Sequence, residues 1–165
     1  MGLVTSWAQR HRREVYDKHA AKAADIVFYQ ARGQKIRDCV RKRIEEAGAG
    51  AVVLCHSLGG IAVVDLLIEN PMPQVRQLIT VGSQAGFFYE IDALVSLPFP
   101  EPLPAHFPPW RNIYDSADFL SYRASGAFPG RVGDFRVDNG QPFPQSHSAY
   151  WDNPAVIAEI ARRVG

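Results

Sequence analysis

"AVVLCHSLGGIAVVDLL", Ala51 to Leu67, is the stretch on which the fold reading turns. Its first part continues the turn-forming "GAGA" at Gly48–Ala51 into an apolar run up to Cys55, the pattern of a buried strand. From Leu58 a second apolar run follows at a helical period and ends where Pro71 and Pro73 forbid continuation. Ser57, Gly59 and Gly60 stand at the join. A strand that turns abruptly into a helix drives the turn residue into strained backbone and lifts its side chain clear. The two backbones then approach closely, so the positions two before and two after the serine must be small. Cys55 and Gly59 occupy them, and Gly60 adds room. The helix amino terminus aims free amides and its positive dipole end at whatever forms on Ser57. The stretch predicts a nucleophile held on a tight turn.

Working outward, strand and helix alternate. Ser6 to Lys22 reads as a helix with Trp7, His11 and Val15 four apart, and "DIVFYQ" (Asp25–Gln30) as a short β-branched and aromatic strand. Gly33 opens a helix with Ile36, Val40 and Ile44 on one face. "VRQLITVGS", "RNIYD" and "GDFRVDNG" read as further strands, the last closed by Asn139-Gly140. Asn153 caps a final helix with Pro154 at its first position and Val156, Ile160 and Val164 as its buried stripe. Continuously apolar strands between helices predict an α/β fold, a mostly parallel sheet with helices on both faces in three layers. The 165 residues suit a single domain over 1–165. One segment interrupts the rhythm. Gly86 to Trp110 holds six prolines and six aromatics. It is too apolar for a linker and too rich in proline for regular structure, and is expected to lie as a flap over 86–110 across the strand ends.

Composition narrows the function classes. At 47% hydrophobic and 21% charged, the chain has ordinary globular proportions. No apolar run approaches the ~20 residues of a membrane span, and the amino terminus lacks the apolar core of a signal peptide. With only Cys39 and Cys55, no disulfide framework is expected, and the reading is cytoplasmic, with secretion by an unusual route left open. Net charge is +1, yet residues 1–43 carry 11 of the 18 Lys and Arg and only 4 of the 17 Asp and Glu. Those charges fall at helical spacing without interleaved aromatics, so they read as solvated helix faces; no nucleic-acid partner is expected. Cys39, Cys55 and His56 lack zinc-site spacing and "ARGQK" lacks the spacing of a phosphate loop, so neither metal nor cofactor is expected.

In this strand–turn–helix setting, His56-Ser57-Leu58-Gly59 resembles the nucleophile elbow Gly-x-Ser-x-Gly of the α/β-hydrolase superfamily, with Cys55 in place of the first glycine. The resemblance covers nearly the whole chain, from residue 25 to the last helix, and implies a serine esterase or lipase. A serine hydroxyl needs a base and an orienting carboxylate to become a nucleophile. The family's order of serine, acid, histidine implies His147, in "PQSHSAYW", as the base. His11 and His19 precede the serine, His106 lies in the flap, and His56 is placed as a pocket-lining residue beside the elbow. The acid belongs after "NIYD"; lipase-like relatives favour Asp118 over Asp115, which would buttress the loop, with Asp134 and Asp138 weaker candidates. The Leu58 amide is the assignable oxyanion donor. Phe87 and Phe88 head a set of flap aromatics suited to an apolar acyl chain, so a small-molecule or lipid ester is the expected substrate.

The superfamily's full sheet has further strands before this point, and a loop among them supplies a second oxyanion amide. The sequence reads either as the carboxyl-terminal part of such a fold or as a degenerate relative. In either case an exposed sheet edge that could drive self-association is expected. A non-catalytic binding or assembly module is the alternative function.

Overall fold

Parallel strands must be joined by connections that cross from one end of the sheet to the other, and the computed structural model is built of such crossings. It describes residues 24–165; the helix expected at Ser6–Lys22 lies outside them. The chain divides into two units after Gln34.

Within the first unit, residues 24–32 are helical. This overturns the strand expected at Asp25–Gln30. Periodicity alone cannot separate so short an apolar run into strand or helix. Here Val27 and Phe28 are exposed while Tyr29 is fully buried. Four residues on, a Cβ at Gly33 would come within 2.6 Å of the Tyr29 carbonyl oxygen. A close pair at spacing four is a helical signature, and it overrode the β propensity of the run.

The second unit starts within α1 (Gln34–Ala47). It continues through β1 (Ala51–His56), α2 (Leu58–Glu69), β2 (Val75–Val81), α3 (Ala85–Glu90), β3 (Trp110–Asp115), α4 (Ala124–Ala127), β4 (Val132–Val137) and α5 (Pro154–Val164). The fold is α/β: four parallel strands in the order β1-β2-β3-β4, flanked by helices. Among the described residues β1 pairs with β2 alone, and its Leu54 is 42% exposed. Among them, too, no helix is long and apolar enough to cross a membrane.

Ile79 and Val81 of β2, Ile113 of β3 and Val137 of β4 pack with Tyr150 and Val156 into one core cluster. α2 is buried without interruption from Gly60 to Ile68, as befits a helix that is apolar all round. A polar row crosses the same sheet, because register aligns Thr80, Asn112 and Asp134 on neighbouring strands. Thr80 donates to Asn112 (2.7 Å), and Asn112 donates to Asp134 (2.8 Å) and to the Tyr122 carbonyl (2.8 Å). Asp134 also accepts from the Ala124 and Ser125 amides. These bonds tie the loop after β3 to the sheet. They give Asp134 a structural place.

The proline-rich segment sits elsewhere than expected. It is the crossover from β2 to β3, doing without a long helix what a helix does in most parallel connections. After the short α3 it runs along α2 as a strap. Asp65, buried on α2, accepts from the Ser96 amide (3.0 Å) and hydroxyl (2.6 Å). Further on, the His106 ring bonds to the Leu67 and Ile68 carbonyls near the end of α2. Arg131 then donates to the carbonyls of Leu103 and Pro104, both at 3.0 Å. Tyr89, Phe107 and Trp110 are buried with Phe128 in a satellite aromatic cluster. The strap covers a helix and the amino ends of β3 and β4 instead of the strand ends that carry Ser57.

Two buried stripes are shifted from their expected positions. On α1, Arg37 is buried and pairs with Glu69 at 3.1 Å, while Ile36 is exposed. On α5, Val156 and Glu159 are buried, whereas Val164 is 54% exposed. Glu159 is fully buried and meets Arg111 of β3 at 2.6 Å and Arg163 at 3.1 Å, with Arg162 also bonded to it. Removing one partner of a buried pair strands the other. Glu159→Ala is therefore expected to cost about 3–5 kcal/mol, read as a lowered midpoint in urea; a variant with unchanged stability would show that the pair does not fasten α5 to the sheet.

Candidate functional site

Ser57 occupies the join between β1 and α2 with φ 54° and ψ −128°, a conformation that L-residues rarely adopt. Its amide donates to the Val81 carbonyl at 3.0 Å, so the sheet ladder itself holds the turn. Leu58 opens α2, and its amide has no carbonyl of its own helix behind it. The two glycines differ in what they allow. A Cβ on Gly59 would meet Cys55 Cβ at an ordinary 3.8 Å, whereas one on Gly60 would fall 2.3 Å from Ser83 Oγ. Close approach is therefore between α2 and the end of β2, and Gly60 is the position that must stay bare. Cys55 is no rival nucleophile: its Sγ lies 3.6 Å from the Ile79 carbonyl and burial pushes its thiol up to about 12.

Two loops at the carboxyl ends of β3 and β4 deliver the remaining groups. His147 ends a short 3-10 turn, Gln145–His147, and is buried. Its Nε2 lies 2.9 Å from Ser57 Oγ and its Nδ1 lies 2.8 Å from Asp118 Oδ2. A carboxylate can only accept, so Nδ1 carries the proton; Nε2 is then bare and accepts from the serine hydroxyl. Asp118 is buried and its other oxygen accepts from the Leu120 amide at 3.0 Å. Asp115, also buried, accepts instead from the amides of Ala117 (2.8 Å) and Asn139 (2.8 Å), which fixes one loop against the next. Asp138 accepts from the Gly140 amide in its own turn.

Tyr150 has no counterpart in the sequence reading. It is fully buried, donates to Asp118 Oδ2 at 2.9 Å and accepts from the Asp115 amide at 3.0 Å. Burial pushes its phenol above the ordinary tyrosine range, and the Asp118 charge adds to the shift, so it stays a donor. A tyrosine three residues beyond a histidine, in an otherwise polar loop, was the signal available. His56, beside the elbow, has its Nε2 2.8 Å from the His147 carbonyl, and its ring lies tilted against that of His147 with centroids 4.7 Å apart.

A cavity of about 530 Å³ opens beside the loop after β3, lined in part by Tyr114, Asp118, Phe119 and Tyr122. Phe119 is 80% exposed and stacks on Phe143 across the two loops. Phe87 is half-exposed and its ring meets that of Tyr122 at a tilt, while Phe88 is buried and stands edge-on to Phe87. His106 is far along α2 and the described residues do not include His11 or His19. The arrangement can move a proton from a serine hydroxyl to an imidazole and steady the resulting charge on a buried carboxylate. Comparison of the chain with protein-family models, with curated proteins and with solved structures returned no match.

Proposed function

We propose that this chain is a serine hydrolase of carboxylic esters, in the manner of the esterases and lipases its elbow resembles. One observation carries the reading. Residues 90 and 29 positions apart in sequence form a continuous hydrogen-bonded chain, Ser57–His147–Asp118, at 2.9 and 2.8 Å. In the reaction Ser57 Oγ attacks the acyl carbon while its proton passes to His147 Nε2. The oxyanion forms against the Leu58 amide and the amino end of α2. Asp118 holds the imidazolium in place. Collapse returns the proton to the departing alkoxide, and water, activated by the same imidazole, frees the acid from the acyl-serine. The acyl chain takes the aromatic path formed by Phe87, Tyr122 and Phe119, beside the cavity at Asp118.

The test is labelling with a fluorophosphonate followed by peptide mass analysis, with turnover of p-nitrophenyl esters of increasing length. Modification at Ser57 alone and a preference for medium chains over acetate are the expected results. An unlabelled chain would overturn the hydrolase reading, and a preference for acetate would overturn the apolar acyl chain. Among the described residues β1 pairs on one side only, which supports a second reading, a binding or assembly module that self-associates there. An unlabelled chain that light scattering shows to be oligomeric would favour it.

A further inference from the structure

Base and nucleophile sit on elements far apart in sequence, and something must set the gap between them. The loop from β4 to α5 is pinned from its own side by Asn139, which donates to the Ser146 carbonyl at 3.0 Å, and by Ser146, which donates to the Ala117 carbonyl at 3.2 Å. Neither bond reaches β1. A hydrogen bond that does is the one from His56. As the last residue of β1, His56 immediately precedes the serine. The pleat would normally send two such neighbours to opposite faces. The positive φ of Ser57 breaks that alternation. Both side chains then meet the same residue, Ser57 at the His147 ring and His56 at the His147 carbonyl.

We propose that His56 is a positioning residue, which holds the His147 backbone so that Nε2 stays in register with Ser57 Oγ. The inference rests on the hydrolase reading for its kinetic consequence, although the grip itself is a matter of geometry. A carbonyl accepts only, so the His56 Nε2 carries a proton and donates. That donor is kept whether the ring is neutral or charged. The grip is reinforced from three sides: the rings of His56 and His147 lie tilted against each other at 4.7 Å, and Tyr150 and Trp151 stand edge-on to His56 at 6.0 and 5.7 Å. Around the His147 ring, then, are Ser57, Asp118, His56 and, through Asp118, Tyr150. One dipeptide at the end of β1 supplies the nucleophile and sets the place of its base.

The experiment compares His56→Phe, which keeps a ring but loses the donor, with His56→Gln, whose amide nitrogen falls where Nε2 was. Misplacing a reacting group by about 1 Å costs on the order of 10²-fold in rate. His56→Phe is expected to lower kcat by about 10- to 100-fold at nearly constant KM, and His56→Gln to recover most of the loss. In parallel, the downfield proton resonance of His147 Nδ1–H should broaden or vanish in His56→Phe and return in His56→Gln. A folded His56→Phe with unchanged kcat and resonance would overturn the proposal. So would a folded His56→Gln as impaired as His56→Phe, since donation would then not be the feature that matters. Should the parent chain hydrolyse nothing, the hydrolase reading fails, and the resonance in the two variants still decides whether His56 holds His147.

Discussion

Ser57→Ala is expected to lower the proposed ester turnover by on the order of 10⁴-fold or more, while the protein keeps its fold. The expectation follows from the site's construction. In the proposed mechanism both half-reactions run through the ester formed on Ser57 Oγ, and the neighbouring thiol of Cys55 is held protonated by burial, so no other group on the elbow can replace it. Alanine fits the space of serine and inherits the same strained backbone, with φ 54° in the parent. The amide bond to Val81 that holds the turn is a main-chain bond and survives the change. Steady-state rates with a p-nitrophenyl ester, set beside thermal unfolding, separate the two effects. Residual turnover within tenfold of the parent would place the chemistry on another residue.

The second large effect distinguishes the two aspartates. Asp118→Asn should lower kcat by about 10⁴-fold, because an amide presents N–H where His147 Nδ1–H needs an acceptor and so favours the wrong tautomer. Asp115→Asn should behave otherwise. It disturbs two backbone amides, those of Ala117 and Asn139, at a cost of about 1–3 kcal/mol in stability, with a much smaller loss of rate. Parallel kinetics and urea unfolding on the pair test the division. If Asp115→Asn is the one that abolishes turnover, the acid has been assigned to the wrong residue.

The sheet and the elbow were legible because both are written in local pattern. Ala51–Cys55 is a short apolar run, the strands at residues 75, 110 and 132 are short stretches of mixed apolar and polar residues bounded by turns, and the helix after Ser57 is bounded by proline. The grouping of Ser57, Asp118 and His147 was legible only through the chain order of the superfamily that the elbow resembles, since nothing in spacing brings residues 90 apart together. What escaped the sequence depended on tertiary contact. The run at Asp25–Gln30 has strand composition, and helical packing around Tyr29 and Gly33 overrode it. Glu159 and Arg37 look like solvated charges until a partner on another element is known to meet them. Tyr150 and His56 act through bonds to the loops around them, and neither the phenol nor the second imidazole carries a mark in sequence that separates it from an ordinary loop or pocket residue.

The strap between β2 and β3 bears on how the chain reaches this state. A helical crossover can form its own amide ladder before it finds the sheet, which shortens the effective gap between the strands it joins. The strap after α3 has no such ladder, so the parallel pairing of β2 with β3 must close a long loop against chain entropy, at a cost that grows as about (3/2)RT ln n. Its six prolines work on the other side of that balance. Each fixes one backbone torsion in the unfolded chain as well as in the folded one, so the segment has fewer conformations to surrender when it docks along α2. A stretch that looked irregular for want of secondary structure is thereby ordered at reduced entropic loss, by restriction of the unfolded ensemble instead of by local hydrogen bonding.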